Sequence, residues 1–191
     1  MSRALKSLAI FFAFVAIYTL SRHVIDSSNT TTTTTATTGT STTLAGTVCQ
    51  ASGFSGVYNQ GEGAAGTIYA SVTLTKLSPG SCTLKGWPLL TLQDKLGALL
   101  TSSMSDVPWS GNSFQFLTAR ANLPPGTLTV SQNGTAEFSL AYSDVQTGTT
   151  ACPNAVTLSV QFALQGGVID VTPAYPVTPC NNGQLIVSPF Y

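Results

Sequence analysis

The clearest strand signal in the chain is the stretch Val156-Thr-Leu-Ser-Val-Gln-Phe-Ala-Leu164. Its large apolar residues occupy every second position, and the residues between them are polar or small. This period of two is typical of a β-strand that turns one face to a core and the other to solvent. The stretch therefore predicts a half-buried strand.

The same alternation recurs from residue 45 to residue 191. The strands predicted from it are Ile68–Thr75, Glu137–Tyr142, Leu89–Gln93, Ala98–Thr101, Phe114–Thr118, Leu128–Ser131, Val168–Thr172 and Leu185–Ser188. Turn-forming clusters such as Pro124-Pro-Gly126 and Gln132-Asn-Gly134 separate them, and no segment shows a convincing helical period. Short strands at regular spacing predict an all-β domain over residues 45–191, built as an antiparallel β-sandwich, with a closed barrel as the alternative.

The N-terminus carries the features of an export signal. Arg3 and Lys6 precede the apolar run Leu8–Leu20, and Arg22 follows it. A basic start and a run of this length match a secretory signal, whereas a membrane span needs about 20 residues. We expect residues 1–26 to be either a cleaved signal peptide or a retained single-helix anchor, with the rest of the chain outside the cytoplasm.

Residues 27–44 form a segment rich in threonine and serine. It contains almost no large apolar residue, so it cannot bury enough surface to offset the entropy cost of ordering. We expect a disordered linker that spaces the domain from a surface. Asn29 and Asn133 each begin an N-x-T sequon, so both are candidate glycosylation sites.

Four cysteines lie in the predicted domain, and an exported chain is expected to oxidise them. Four cysteines allow three pairings, and their order along the chain suggests two consecutive bridges, Cys49–Cys82 and Cys152–Cys180. These bridges would anchor two otherwise loose segments. One is the glycine-rich Gly53–Gly66, which we expect to be a mobile loop, and the other is the proline-rich Pro173–Pro179.

Few residues in the domain suit catalysis or metal binding. The formal net charge is zero, which disfavours nucleic-acid binding, and the single histidine, His23, precedes the domain. Neither C-x-x-C nor Gly-x-Ser-x-Gly occurs, and no spacing pairs the carboxylates. We expect Asp94 to cap its own turn, Asp94-Lys-Leu-Gly97. The chain is therefore predicted to be no enzyme, with no catalytic residue, cofactor or metal.

Three aromatic residues are candidates for ligand contact. Trp109 lies in a polar loop and Tyr58 in the glycine-rich segment, and both could contact a ligand or simply pack. Trp87 lies between Cys82 and Pro88, where packing beside a disulfide is favoured over stacking on a sugar.

The block Cys82-Thr-Leu-Lys-Gly-Trp-Pro-Leu-Leu-Thr-Leu-Gln-Asp-Lys-Leu-Gly97 resembles the signature of the DUF4232 domains, C-x-L-x-G-x-P-x-x-x-L-x-D-x-x-G. Weaker matches are Leu123-Pro-Pro-Gly126, Cys152 and the segment from Cys180 to Pro189. The resemblance covers roughly residues 48–189 and implies an exported actinobacterial, immunoglobulin-like β-sandwich with no established activity. Members often follow a lipobox, which this chain lacks, so lipid anchoring is not implied.

Together these observations predict a non-enzymatic binding module of the cell envelope, either secreted or tethered to the membrane. Its partner would be an envelope protein or glycan, contacted through loops at one end of the sandwich. The alternative is a structural subunit of a surface filament, in which a neighbour's strand completes a pilin-like sandwich.

Overall fold

The computed structural model describes residues 46–100, 102–106, 114–162 and 166–191. The predicted signal or anchor, the linker, the sequon at Asn29 and the candidate contact Trp109 lie outside these residues. Within them, no helix is both long enough and apolar enough to cross a membrane.

The described part of the chain contains ten strands and almost no helix. The strands are β1 (Phe54–Ala64), β2 (Thr67–Lys76), β3 (Ser81–Lys85), β4 (Leu89–Gln93), β5 (Ser103–Asp106), β6 (Thr127–Ser131), β7 (Thr135–Ser143), β8 (Thr157–Gln161), β9 (Val168–Val171) and β10 (Gln184–Val187). Short 3-10 turns occupy Ala51–Gly53 and Ala119–Asn122, and Cys180–Gly183 is a turn in which Asn181 and Asn182 have positive φ. The all-β prediction is confirmed.

The strands form three sheets around a common core. One sheet has the order β1-β2-β7-β10-β5, a second pairs β3 with β6, and a third has the order β4-β8-β9. Neighbouring strands are antiparallel except β10 and β5, which are parallel. Because β1 and β5 are free edges of the largest sheet, the described strands do not close into a barrel. The arrangement is sandwich-like.

The core lies where the inward faces of the sheets meet. On β2 the inward positions Ala70, Val72 and Leu74 are buried, as the period of two predicts. Four phenylalanines cross the core in edge-to-face contacts, with ring centroids 5.2–5.9 Å apart: Phe54, Phe162, Phe190 and Phe138. Such pairs add to the stabilisation from buried area, by about 0.5–1.5 kcal/mol each.

The expectation of a mobile loop over Gly53–Gly66 was wrong, because β1 occupies most of that segment. β1 pairs with β2 along its length, and the two-residue turn Ala65-Gly66 has positive φ at both positions, as a tight hairpin requires. Gly56 allows the close approach of β9, since a Cβ there would lie 2.5 Å from a methyl of Val171. Cross-strand pairing thus overrides the low strand propensity of glycine.

Two predicted strands were also wrong in extent. The segment 114–118 is irregular, and the described residues of Ala98–Thr101 form no strand, although Leu99 makes a bridge with Gln93. The long signal at 156–164 forms a strand only at Thr157–Gln161, and residues 163–165 are outside the described part.

The predicted cysteine pairing is confirmed. Cys49 bonds to Cys82 and Cys152 to Cys180, and no described cysteine is free. The first bridge ties the chain entry to β3. The second ties the chain before β8 to the turn before β10, and a bridge between Ala155 and Val177 helps to fix the proline-rich segment.

The predicted cap at Asp94 is confirmed too. The backbone N–H groups of Leu96 and Ala98 donate to Asp94 Oδ1 over 2.8 and 2.9 Å. An acidic residue that satisfies its own turn in this way has a structural role there.

Lys76 is a buried charged residue that the sequence does not mark as one. It ends β2 with 3 % exposure, and its Nζ donates to Ser78 O, Ser78 Oγ and Pro79 O over 2.5, 2.6 and 3.2 Å. Three acceptors satisfy the three donors of an ammonium group. The lysine therefore holds the turn that leads from β2 to β3.

Candidate ligand-binding site

The largest sheet is covered on part of its outward face by residues 114–123. Tyr69, Ala141 and Ile186 face outward at the same level on β2, β7 and β10, and form an apolar row. Phe114 and Phe116 pack onto this row, with Phe114 stacked on Tyr69 at 5.9 Å between centroids. Residues Ser139 to Tyr142 of β7 are all buried, because this strand is covered on both faces.

A single side chain fixes the shape of this covering segment. Asn122 Nδ2 donates to Phe116 O and Thr118 O over 2.8 and 3.2 Å, and Asn122 Oδ1 accepts from Phe116 N over 2.7 Å. These bonds go to backbone groups that a strand would have used for pairing. The segment is therefore irregular, although Phe114 and Phe116 alternate as strand residues do.

Beside the covered row lies a polar row, one step further along the same strands. Asn59, Ser71 and Ser139 face one another on β1, β2 and β7. Neighbouring strands lie about 4.8 Å apart, so the row carries hydroxyl and amide groups across roughly 10 Å of sheet. No part of residues 114–123 buries Asn59, which is exposed.

The boundary between the two rows forms a groove of about 160 Å³, called the outer groove below. Its floor is the polar row, and its walls are the residues that flank it. The residues that line it are Asn59, Gln60, Gly61, Glu62, Tyr69, Ala70, Ser71, Phe116, Leu117, Thr118 and Ser139.

A bulge in β1 shapes one wall of the outer groove. The pairing of β1 with β2 shifts between Gln60 and Gly63. A Cβ on Gly61 would lie 2.1 Å from the carbonyl oxygen of Tyr69, so only glycine fits there. The bulge directs the polar residues Gln60 and Glu62 into the lining.

Hydrogen bonds hold the floor in place. Asn59 Nδ2 donates to Thr73 Oγ1 over 2.9 Å and to Ser71 Oγ over 3.4 Å. Ser139 Oγ is 2.8 Å from Tyr191 Oη, and the Tyr191 backbone makes two hydrogen bonds with Glu137. The floor is therefore preorganised, and Asn59 Oδ1 accepts no hydrogen bond from the described residues.

The hydroxyl of Tyr191, which contacts the floor at Ser139, is uncharged at neutral pH. Burial raises the pKa of Tyr191, although the Ser139 hydroxyl and the Arg120 guanidinium, 5.4 Å from the Tyr191 ring centre, act in the opposite direction. The acidic residue among those that line the outer groove is Glu62. In the described part of the chain, no three His, Cys, Asp or Glu residues come together as a metal site.

The sequence-predicted contact Tyr58 lies away from this groove. It faces inward on β1 and is buried, as the packing alternative requires. Burial is the main cause that raises the pKa of Tyr58, and the nearby Tyr142 raises it further. The Tyr58 hydroxyl has no hydrogen-bond partner among the described residues. Trp87 is half-buried, and its Nε1 is similarly without a described partner.

The sequon residue Asn133 is accessible. It is exposed in the turn between β6 and β7, where its φ of 61° suits asparagine. Its backbone N–H donates to Lys76 O over 2.8 Å, so the turn is fixed while the side chain points into solvent-accessible space.

Sequence reasoning missed the groove, because its polar floor residues Asn59, Ser71 and Ser139 look like ordinary solvent-facing strand residues. One signal could have indicated the covering segment. Ala141 and Tyr69 are outward positions with apolar or aromatic side chains, and an outward apolar row requires a partner. The groove itself depends on where that partner ends, which only the folded chain defines.

The site therefore belongs to an all-β domain closed by two disulfides, a class typical of proteins exposed to an oxidising, extracytoplasmic environment. The chain belongs to the DUF4232 family, described as a domain of unknown function, whose profile matches residues 49–191. No curated protein and no solved structure matches the chain.

Proposed function

We propose that this chain is a non-enzymatic binding module of the cell envelope, and that the outer groove holds part of an envelope component. The observation that carries the proposal is the construction of the groove. Its hydroxyl and amide groups lie on paired strands, and Asn122 fixes the wall opposite. Groups held on rigid strands are better placed for recognition than groups on loops.

The proposed location follows from the N-terminal sequence and from the disulfides. Residues 1–26 direct export and either stay as a membrane anchor or are removed, and residues 27–44 space the domain from the surface. The three sheets form an immunoglobulin-like sandwich. The proposed binding site differs from the one expected from the sequence. The groove lies on a face of the largest sheet, whereas the sequence predicted binding through loops at one end of the sandwich.

Binding to isolated envelopes tests the proposal. The full chain is purified in a detergent without a sugar headgroup and sedimented with an envelope fraction of its source organism. Ser71→Phe fills the groove floor, and Ser55→Phe makes the same change at an exposed outward position of β1 outside the lining. We expect the wild type and Ser55→Phe to sediment, and Ser71→Phe to bind at least tenfold more weakly.

Two results would contradict the proposal. If Ser71→Phe binds as the wild type does, the outer groove is not the site. If the wild type assembles with itself as its concentration rises, and does not bind envelopes, the filament subunit becomes the better function.

A further inference from the structure

We propose that the ligand of the outer groove is an uncharged saccharide unit, an inference that rests on the proposed function. The first reason is the kind of polar group in the lining. Hydroxyl and amide side chains both donate and accept hydrogen bonds, and they predominate here through Asn59, Gln60, Ser71, Thr118 and Ser139. A sugar hydroxyl also donates and accepts, so the two sets of groups match.

The charge of the lining disfavours an anion. Among the residues that the structure describes, no lysine or arginine lines the groove, and Glu62 is the acidic residue there. Recognition of a phosphate or carboxylate uses cationic donors, as a bidentate arginine provides. A carboxylate accepts hydrogen bonds from sugar hydroxyls without requiring a charged ligand.

The single carboxylate of Glu62 gives little support for a cationic ligand. Glu62 is exposed and makes no ion pair with the described residues, so it is well solvated. An exposed ion pair contributes little to binding, because water and salt screen the two charges. A cationic ligand would find one such carboxylate, whereas a neutral polyhydroxylated ligand finds the accessible amide and hydroxyl groups of Asn59, Gln60 and Ser71.

The apolar part of the lining suits one face of a sugar ring. Tyr69 is half-buried, with Phe114 stacked on one side of its ring, and Leu117 in the same lining is 66 % exposed. A pyranose ring has C–H groups that can lie against such a surface while its hydroxyls reach the floor. The volume of about 160 Å³ is below the roughly 300–1,000 Å³ of pockets that enclose a whole drug-sized ligand. The groove therefore holds one unit of a longer glycan.

The test uses oligosaccharides of defined charge. The full chain, in the same sugar-free detergent, is titrated with neutral tetrasaccharides of N-acetylglucosamine, glucose and mannose, and binding is followed by isothermal calorimetry. The charged probes are a tetrasaccharide of galacturonic acid and the deacetylated, cationic form of the N-acetylglucosamine tetrasaccharide. We expect at least one neutral probe to bind, with no dependence on salt, and both charged probes to bind more weakly.

Two substitutions connect binding to the groove. Asn59→Ala removes an amide from the floor and should weaken binding of the neutral probe roughly three- to tenfold. Thr129→Ala removes a polar group at an exposed position of β6, outside the lining, and should leave binding unchanged. Glu62→Gln removes the charge but keeps an acceptor oxygen, and it should weaken binding of the neutral probe by no more than about tenfold.

The outcomes separate this inference from the proposed function. If envelopes bind and Ser71→Phe abolishes that binding, but no neutral tetrasaccharide competes, the saccharide inference is overturned and the binding module remains. A loss above tenfold in Glu62→Gln, together with preference for the cationic probe, also overturns it in favour of a cationic ligand. If the wild type binds neither envelopes nor tetrasaccharides, both proposals are overturned.

Discussion

Replacing Asn122 with aspartate should detach the wall of the outer groove while leaving the size of the side chain unchanged. In the structure the Asn122 amide donates to Phe116 O and Thr118 O, and its oxygen accepts from Phe116 N. In Asn122→Asp the ionised carboxylate keeps the accepted bond and loses both donated ones. Two carbonyl oxygens then face a negative charge instead of N–H groups.

The expected cost follows from those two bonds. Each contributes a net stabilisation of about 1 kcal/mol, and leaving the part-buried Phe116 O without its donor adds about 1 kcal/mol or more. We therefore expect the free energy of unfolding to fall by roughly 2–4 kcal/mol at pH 7. With a urea m-value of about 2 kcal/mol/M, the midpoint shifts by roughly 1–2 M.

The loss should also depend on pH in a defined direction. The neutral carboxyl can donate one hydrogen bond to a carbonyl, so its pKa in the folded state rises above the unfolded value of about 3.9. A raised folded pKa contributes stability that is present below the unfolded pKa and lost as the pH rises through the folded pKa. The difference from wild type should therefore be smallest near pH 3.5 and largest at neutral pH.

Urea unfolding of the full chain, followed by circular dichroism at pH 3.5 and pH 7, measures both effects. Asn154→Asp is the matched control, because Asn154 is exposed and makes no hydrogen bond with the described residues. It should change stability by less than about 0.5 kcal/mol. If Asn122→Asp is equally mild at pH 7, Asn122 does not hold the covering segment and the argument for a preorganised groove fails.

Further predictions concern the disulfides, the bulge and the buried tyrosines. Replacing Cys49 and Cys82 together with alanine should cost about 4 kcal/mol in urea unfolding, from the loss of a crosslink spanning 33 positions; a cost below about 1 kcal/mol would contradict this. Gly61→Ala should lower both the thermal midpoint and groove binding, because the new Cβ meets the β2 backbone at 2.1 Å, whereas Gly126→Ala has open space and should change neither. Tyr58→Phe removes a buried hydroxyl without a partner and should be neutral or stabilising by up to about 1 kcal/mol. Burial raises the folded pKa of the buried tyrosines, so their contribution to stability is complete below pH 10 and is lost as the pH rises further. Alkaline titration should therefore unfold the protein, and the Tyr58→Phe variant should lose less stability than the wild type. An equal alkaline loss of stability in that variant would refute the raised pKa of Tyr58. 

Local alternation predicted the strands that lie between a core and a polar surface. β2 and β6 match their predicted ranges within one or two residues at each end, because their inward and outward residues differ in polarity at every step. The disulfides followed from the order of the cysteines, and the cap at Asp94 from turn chemistry. All of these depend on residues near one another in the chain.

Elements that depend on distant partners escaped prediction. β1 is rich in glycine and exposed along its second half, and it is a strand only because β2 provides its hydrogen bonds. The burial of Lys76 depends on the turn that follows β2, whose carbonyl groups accept hydrogen bonds from the ammonium group. In both cases the decisive interaction is tertiary, and local propensity is only a weak guide.

The position of the outer groove depends both on the local pattern of residues in the strands and on tertiary packing. The outward residues of the largest sheet change from apolar to polar between the row containing Tyr69 and the row containing Ser71. Covering the first row removes apolar surface from water, whereas covering the second would desolvate hydroxyl and amide groups that lack enough partners. The covering segment therefore ends where the polarity changes, and the edge that it leaves is the groove wall. The change from apolar to polar residues along the strands therefore sets the position of the groove, and Asn122 holds the covering segment that forms its wall.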